Sequence, residues 1–335
     1  MSDRSQETGA DPILSVRGLK VYFPIASGKF FVPPTPLKAV DDVSFDLYQG
    51  ETLGVVGESG CGKSTLGRGV LQLIEPTAGE VIWLGDHLES LSHKEMILRR
   101  KELQIIFQDP LASLNPRMTI GDIIAEPLTV HFPELKKGER KKKVSEMMSQ
   151  VGLLPQMINR YPHEFSGGQC QRIGVARAMI LKPKMIVCDE PVSALDVSIQ
   201  AQIVNLIQEL QHSFGLSLIF ISHDLSIVRH ISHRIMVLYL GNVMEIADKD
   251  NLYENPKHPY TQALISAVPV PDPDLEKGKE RVVLEGDLPS PLAPPSGCVF
   301  RTRCPIAGSI CSKTKPPLVQ ASPTHQVACH FWDRT

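Results

Sequence analysis

The stretch GESGCGKST, Gly57–Thr65, constrains this chain more than any other. It follows ETLGVVG, Glu51–Gly57, a short apolar run that reads as a buried strand. It leads into an apolar helix expected from Lys63 to about Leu73. Strand, glycine-rich turn and helix in that order wrap backbone N–H groups around an anion, and the helix N-terminus adds the positive end of its dipole. Gly57, Glu58, Ser59, Gly60, Cys61, Gly62, Lys63, Ser64 and Thr65 form the candidate phosphate cradle. Lys63 is placed to reach β- and γ-phosphates and Ser64 to hold Mg²⁺. The plain alternative, a glycine-rich turn without a ligand, leaves the flanking strand and helix unexplained.

The rest of the chain supplies the setting. Pro12–Phe23 and Leu37–Gly50 partly alternate apolar and polar residues and read as strands of a half-exposed antiparallel sheet, joined by a Pro/Gly-rich loop, Pro24–Pro36. Gly79–Gly85 and Leu103–Gln108 read as strands, and Asp109 to about Phe165 as a helical insertion. Strand patterns resume at Lys184–Glu190, Leu216–Asp224 and Arg234–Asn242. Their alternation with helical segments implies a parallel sheet. Beyond about Pro269, PVPDPD, LPSPLAPPSG and KPPL mark a loop-rich extension without regular helix or sheet.

Lys and Arg number 35 against 37 Asp and Glu, which argues against nucleic acid as the main partner. The one dense basic run, KKGERKKK (Lys136–Lys143), is expected to be a solvated helix face. The polar start lacks the apolar core of a signal peptide, and no run approaches the ~18 apolar residues that span a bilayer. A cytosolic chain with reduced thiols is expected.

Two further motifs carry chemistry. MIVCDE, Met185–Glu190, is an apolar strand ending in two carboxylates. Asp189 is placed to bind Mg²⁺, and Glu190 to act as general base on a water aimed at the γ-phosphate. In FSGGQ, Phe165–Gln169, a serine and two glycines open a helix, so Ser166, Gly167, Gly168 and Gln169 form a second phosphate-grasping surface. One phosphate loop already saturates one nucleotide, so the second surface is expected to serve another, in a head-to-tail dimer that sandwiches two nucleotides. An ordinary serine cap is the alternative.

Gly57–Thr65, Gln108, FSGGQ, VCDEPVSALD and ISHD occur together in the order and spacing of an ABC-type ATPase. The resemblance covers roughly Pro12–Ala267. It implies an α/β P-loop NTPase: an ABC nucleotide-binding domain over 12–268 with an antiparallel β subdomain and a helical subdomain at about 109–167. The cofactors implied are ATP and Mg²⁺. By the same resemblance Gln108 senses Mg²⁺ and γ-phosphate, His223 contacts the γ-phosphate, and Ser193–Asp196 form a loop crossing the dimer interface, with Asp196 among the nucleotide-site residues. An aromatic near the first strand stacks on adenine in such proteins; Phe23 is the first choice and Tyr22 the second.

FQDPLASLNPRMTIGDIIAEPL, NRYPHEFSGGQCQRI, NPKHPYTQALISAVPVPDPDLEK and LPSPLAPPSGCVFRTRCPIAG narrow the resemblance to the peptide-permease ATPases, over nearly the whole chain. That implies an ATP-hydrolysing subunit of a bacterial importer, peripheral on the cytoplasmic face of the inner membrane, powering oligopeptide uptake. Dipeptide and nickel branches share much of the pattern, and a soluble non-transport ATPase is the rival class. The implied partners are a second, different D-type ATPase subunit in a heterodimer, two transmembrane permease subunits docking near Pro110–Met118, and, indirectly, an extracytoplasmic peptide-binding protein. No nucleic acid is implied.

The extension, 269–335, holds Cys298, Cys304, Cys311 and Cys329, separated by five, six and seventeen residues. Cys61, Cys170 and Cys188 lie inside ATPase motifs and read as small packing residues. A proline-rich segment buries too little core to order itself, which suggests a staple. Zinc sites usually show closer cysteine pairs, whereas thiolates on loops reach the corners of a cubane. By resemblance the four cysteines look like a [4Fe–4S] site; zinc and free thiols stay open. His325 and His330 are read as surface residues rather than substitute ligands.

Overall fold

The computed structural model describes residues 11–26, 34–269 and 282–334. The chain's polar start, most of the Pro24–Pro36 loop and most of PVPDPD lie outside the described residues. In chain order, β1 (Leu14–Ile25), β2 (Thr35–Leu47) and β3 (Thr52–Val56) precede α1 (Lys63–Val70). Then come β4 (Ala78–Trp83), β5 (Asp86–His87), α2 (His93–Arg99) and β6 (Leu103–Ile106). Helices α3 (Ile120–His131), α4 (Lys137–Gln150) and α5 (Gly167–Met179) follow. The chain continues through β7 (Met185–Asp189), α6 (Val197–Phe214), β8 (Ser217–Ile221), α7 (Leu225–Ile231), β9 (Arg234–Tyr239) and β10 (Asn242–Asp248). Helices α8 (Lys249–Glu254) and α9 (Pro259–Ser266), a short helix Ser309–Lys313, and strands β11 (Val319–Ser322) and β12 (His325–Val327) complete it.

The chain divides into two units: residues up to Tyr48 with Leu53–Glu89 and His223 onward, and Gln49–Thr52 with Ser90–Ser222. In the first unit an antiparallel sheet runs in the order β2-β1-β4-β5. Its register pairs Leu14 with both Leu47 and Trp83. Leu14, Val16, Leu19 and Val21 face the core while Arg17 is exposed, as the partial alternation requires. A second set of strands follows the order β11-β12-β10-β9-β3. Here β3 lies parallel to β9, from Leu53 opposite Arg234 to Val56 opposite Val237.

The extension departs from the expectation of a segment without sheet. β12 pairs antiparallel with β10, setting Glu245 opposite Val327 and Ala247 opposite His325. A sheet edge offers unpaired N–H and C=O groups, so even three residues find partners there. The same register brings His325 to Glu245, a fully buried carboxylate. Glu245 accepts hydrogen bonds from the Lys257 N–H at 2.6 Å and the His258 N–H at 3.0 Å, and pairs with His325 Nε2 at 2.5 Å. His325 is therefore not the surface residue its sequence context suggests. An ionised side chain is tolerated at such depth when its oxygens are satisfied in this way.

Phe300 anchors the extension further. Its fully buried ring packs on Tyr239 and Tyr260, both at 5.3 Å, and on His258 at 5.4 Å. Tyr239 and Tyr260 meet edge to face at 4.8 Å.

In the second unit β8, β7 and β6 are neighbours in that order and parallel. MIVCD and SLIFI are buried at every position, as continuous apolar runs in parallel strands are. Thr119 opens α3 by accepting from the Asp122 N–H at 3.2 Å. Helix α4 begins within KKGERKKK; Lys137, Lys141, Lys142 and Lys143 are exposed while Val144, Met147 and Met148 are buried. The run is the solvated face expected of it. Among the described residues no helix is long and apolar enough to cross a membrane.

Truncating the aromatic anchor removes packing on all sides. Phe300→Ala is expected to lower unfolding stability by about 3–5 kcal/mol, read by urea denaturation of the purified chain. His258 gives a pH dependence with a defined sign. Burial, opposed by the Glu245 carboxylate, pushes its imidazole from 6.5 down to about 4. The unfolded chain binds a proton in that interval that the folded chain does not, so stability is full above about pH 6.5. It falls by about 3 kcal/mol as the pH drops toward 4. Denaturation curves across this range should show that slope, and His258→Asn should flatten it.

Candidate functional site

The phosphate loop is built in the first unit. Gly62 caps α1 at φ 103°, a left-handed conformation. A Cβ there would stand 2.0 Å from the Ala39 carbonyl oxygen, so only glycine fits. Lys63 is 3% exposed. Its Nζ donates to the carbonyl oxygens of Gly57 at 2.8 Å and Glu58 at 3.0 Å. The ammonium thus ties the loop to itself. Cys61 is buried, and burial pushes its thiol pKa up; it packs, as its place in the motif suggests. The Glu58 N–H donates to Tyr260 Oη at 2.9 Å. The Glu58 carboxylate receives Arg303 Nη1 at 3.1 and 2.8 Å.

Tyr22 and Phe23 sit half-buried on β1. Tyr22 is committed: its hydroxyl donates to Asp41 at 2.5 Å, and Lys38 Nζ lies 5.5 Å from its ring centre. Phe23 carries no such tether among the described contacts. His223, exposed, directly precedes Asp224, whose carboxylate caps α7 by accepting from the Ser226 N–H at 2.8 Å.

The second unit holds the carboxylates. Asp189 ends β7 and is 1% exposed. Glu190 follows with φ 45°, a conformation that costs a branched or long side chain energy and gathers at functional sites. Two bonds hold it there. Its N–H donates to the Ile221 carbonyl at 3.1 Å, and Oε2 accepts from Gln108 Nε2 at 2.9 Å. Gln108 and Glu190, 82 residues apart in the chain, are thereby brought together. The loop after them is braced by Gln200 Nε2, which donates to the Val192 and Leu195 carbonyls at 3.0 and 3.1 Å. Asp196 caps α6, accepting from the Ile199 N–H at 3.0 Å and the Ser198 hydroxyl at 2.8 Å. The Ser198 hydroxyl and the Ile199 N–H hold its carboxyl below the usual range.

FSGGQ has a local explanation as well as a ligand one. Ser166 and Gln169 form a reciprocal capping box at the start of α5, at 3.4 and 3.0 Å. A Cβ on Gly168 would lie 2.5 Å from Ile199 Cγ2. Packing against α6 therefore requires that glycine. Ser166 and Gly167 remain exposed.

All seven cysteines are free thiols. Burial pushes Cys298 up to about 11, and the neighbouring Cys311, Cys304 and Cys329 add to the shift. Cys304 and Cys329 are raised mainly by burial, each with a contribution from Cys311. The Cys298 N–H donates to the Cys311 carbonyl at 2.8 Å. The four therefore share one neighbourhood. Yet among the described residues no group of three or more His, Cys, Asp or Glu side chains is arranged to hold a metal ion. The expected iron–sulfur site is not formed as a metal site in this geometry.

The contact of Arg303 and Tyr260 with the phosphate loop was not foreseen from sequence. Arg303 stands 245 residues from Glu58, and no spacing rule connects them.

Comparison with known proteins follows these features. A family model described as ABC transporter matches residues 40–193, and one described as Oligopeptide/dipeptide transporter, C-terminal region, matches 244–311. The Oligopeptide transport ATP-binding protein OppF of Escherichia coli K12 is 62% identical over 323 residues, 96% of both chains. OppF of Haemophilus influenzae is 63% identical over 319 residues, 95% of this chain and 96% of its own. AppF of Bacillus subtilis is 54% identical over 333 residues, 99% of this chain and all of its own. Among solved structures, the ATP-binding cassette MJ0796, a dimer in a post-hydrolysis state with ADP and Pi, matches at TM-score 0.63. It is 26% identical and covers 70% of this chain and 98% of its own.

One expectation is corrected here. The comparisons do not confirm the expected heterodimer with a D-type subunit. The relatives are named only as ATP-binding proteins of oligopeptide transport. The solved cassette MJ0796 is a dimer under a single protein name. The kinship makes this chain an ATPase that works with ATP and Mg²⁺. By whole-length identity, the chain belongs to the ATP-binding-cassette transporter family, among the oligopeptide transport ATP-binding proteins.

Proposed function

We propose that this chain hydrolyses Mg-ATP to power oligopeptide uptake, working peripherally at the cytoplasmic face of the bacterial inner membrane. Glu190, at φ 45° and bonded to Gln108, is the observation that carries the catalytic part. Identity of 53–63% to relatives named for oligopeptide transport supports the substrate class over nickel or a soluble role. Gly57–Thr65 cradles the triphosphate, with Lys63 leaving its carbonyl partners for β- and γ-oxygens. Ser64, Asp189 and Gln108 are the residues that would hold Mg²⁺, and Phe23 would stack on adenine. Glu190 takes a proton from water as its oxygen attacks the γ-phosphorus. The bond to the β-γ bridging oxygen breaks, and ADP leaves with inorganic phosphate. His223 steadies the γ-phosphate. Ser166, Gly167, Gly168, Gln169 and Asp196 serve a second nucleotide at the N-terminal end of α5.

The four cysteines are proposed as ligands of a [4Fe–4S] cluster. Cys298 and Cys311 are buried and Cys304 and Cys329 half-buried in one neighbourhood, which supports this, and a cubane spans a wider cage than one ion. When bound, the cluster would supply a structural tie across the extension; ATP hydrolysis needs no electrons from it.

Glu190→Gln should leave ATP binding intact and slow hydrolysis by on the order of 10²–10⁴-fold. Labelled-oligopeptide uptake should cease in cells carrying it on the chromosome. Near-normal turnover would remove Glu190 from the base role. Lys63→Ala should instead weaken binding by about tenfold or more, read by nucleotide titration. For the cluster, anaerobically purified chain should be brown and carry about four irons. Colourless protein with zinc, or with no metal, would overturn it.

A further inference from the structure

Glu58 is out of character in its loop. Every other feature there attracts a triphosphate: the backbone N–H groups, the start of α1 and Lys63. A carboxylate in the same turn repels one. The extension answers it. Arg303 Nη1 lies 2.8 and 3.1 Å from the two carboxylate oxygens. Its side chain is only 10% exposed. Screening by water is weak at that depth, so the pairing cancels much of the local negative field.

Arg303 is held ready for this task. Its N–H donates to the Phe300 carbonyl at 3.0 Å, one turn from the buried aromatic anchor. Its guanidinium lies 5.9 Å from the Tyr239 ring centre. Tyr260, packed on the same anchor, binds the Glu58 N–H. The extension thus grips one residue of the phosphate loop through both its backbone and its side chain. We propose that Arg303 is a positioning residue for nucleotide binding: by neutralising Glu58, the C-terminal extension sets the affinity of the phosphate loop for ATP. The proposal rests on the reading that Gly57–Thr65 binds ATP, and not on any metal at the cysteines.

Equilibrium titration of Mg-ATP onto the purified full-length chain tests it. Arg303→Gln should raise the Kd on the order of tenfold, and Arg303→Lys should recover part of the loss. The double variant Glu58→Gln, Arg303→Gln should return Kd to within about twofold of the parent chain, because both charges are then gone. A residue that only anchored the extension would leave the double variant as weak as Arg303→Gln alone, and that result overturns the proposal. So does an unchanged Kd in Arg303→Gln. Should Arg303→Gln not fold, Glu58→Gln alone decides: it should lower Kd, because Arg303 then stands as an unbalanced cation near the phosphates, and a raised Kd refutes the assignment. Lys63→Ala separates the two levels. If it binds ATP as tightly as the parent chain, the phosphate-loop reading fails and the proposal with it. If it binds weakly while Arg303→Gln is normal, the proposal alone fails.

Discussion

A glycine-rich loop such as Gly57–Thr65, proposed to take phosphate on its backbone N–H groups, has few side chains with which to hold its own shape. The first unit of this protein is organised around that shortage. Lys63 ties the Gly57 and Glu58 carbonyls together. The Gly241 N–H donates to the Cys61 carbonyl at 2.8 Å, and Gly241 in turn accepts from the Asp41 N–H at 2.8 Å. The Ala39 carbonyl lies against Gly62 with no room for a Cβ. Tyr260 and Arg303 take the remaining face, through Glu58. β2, the β9–β10 turn and the extension therefore all converge on nine residues of loop.

The second unit stores its cost differently. Glu190 sits in a left-handed conformation at the end of a strand whose five residues are all buried. Strain of this kind persists where surrounding structure over-determines it. Here the Ile221 carbonyl fixes the backbone and Gln108 fixes the carboxylate. The base proposed for hydrolysis must be aimed as well as basic, and both constraints act on aim. The Ser166 surface of the same unit is cheaper: an ordinary capping box and one packing glycine shape it, and Ser166 and Gly167 stay exposed.

Local chemistry was legible in the sequence, and distant chemistry was not. Gly57–Thr65, the apolar strands ending at Asp189 and Ile221, and the Ser166 cap are each written in adjacent residues, so period and turn chemistry suffice to read them. β10 was missed because Asn242 and Glu245 interrupt its apolar run; only the partners of Glu245, the Lys257 and His258 N–H groups and His325, make a carboxylate possible there. β11 and β12 were missed because three or four residues carry no readable period, and their stability is borrowed from the edge of β10. Arg303 was invisible for a similar reason. Its meaning comes from Glu58, which the fold, not the sequence, sets beside it.

A structure of the full-length chain with Mg²⁺ and a non-hydrolysable ATP analogue tests the central claim most directly. The expected result has β- and γ-phosphates inside Gly57–Thr65, with Lys63 Nζ moved from the Gly57 and Glu58 carbonyls onto phosphate oxygens. In it the Arg303–Glu58 pair stays closed. A nucleotide bound away from that loop, or an Arg303 released from Glu58 while the phosphates sit in place, would contradict it.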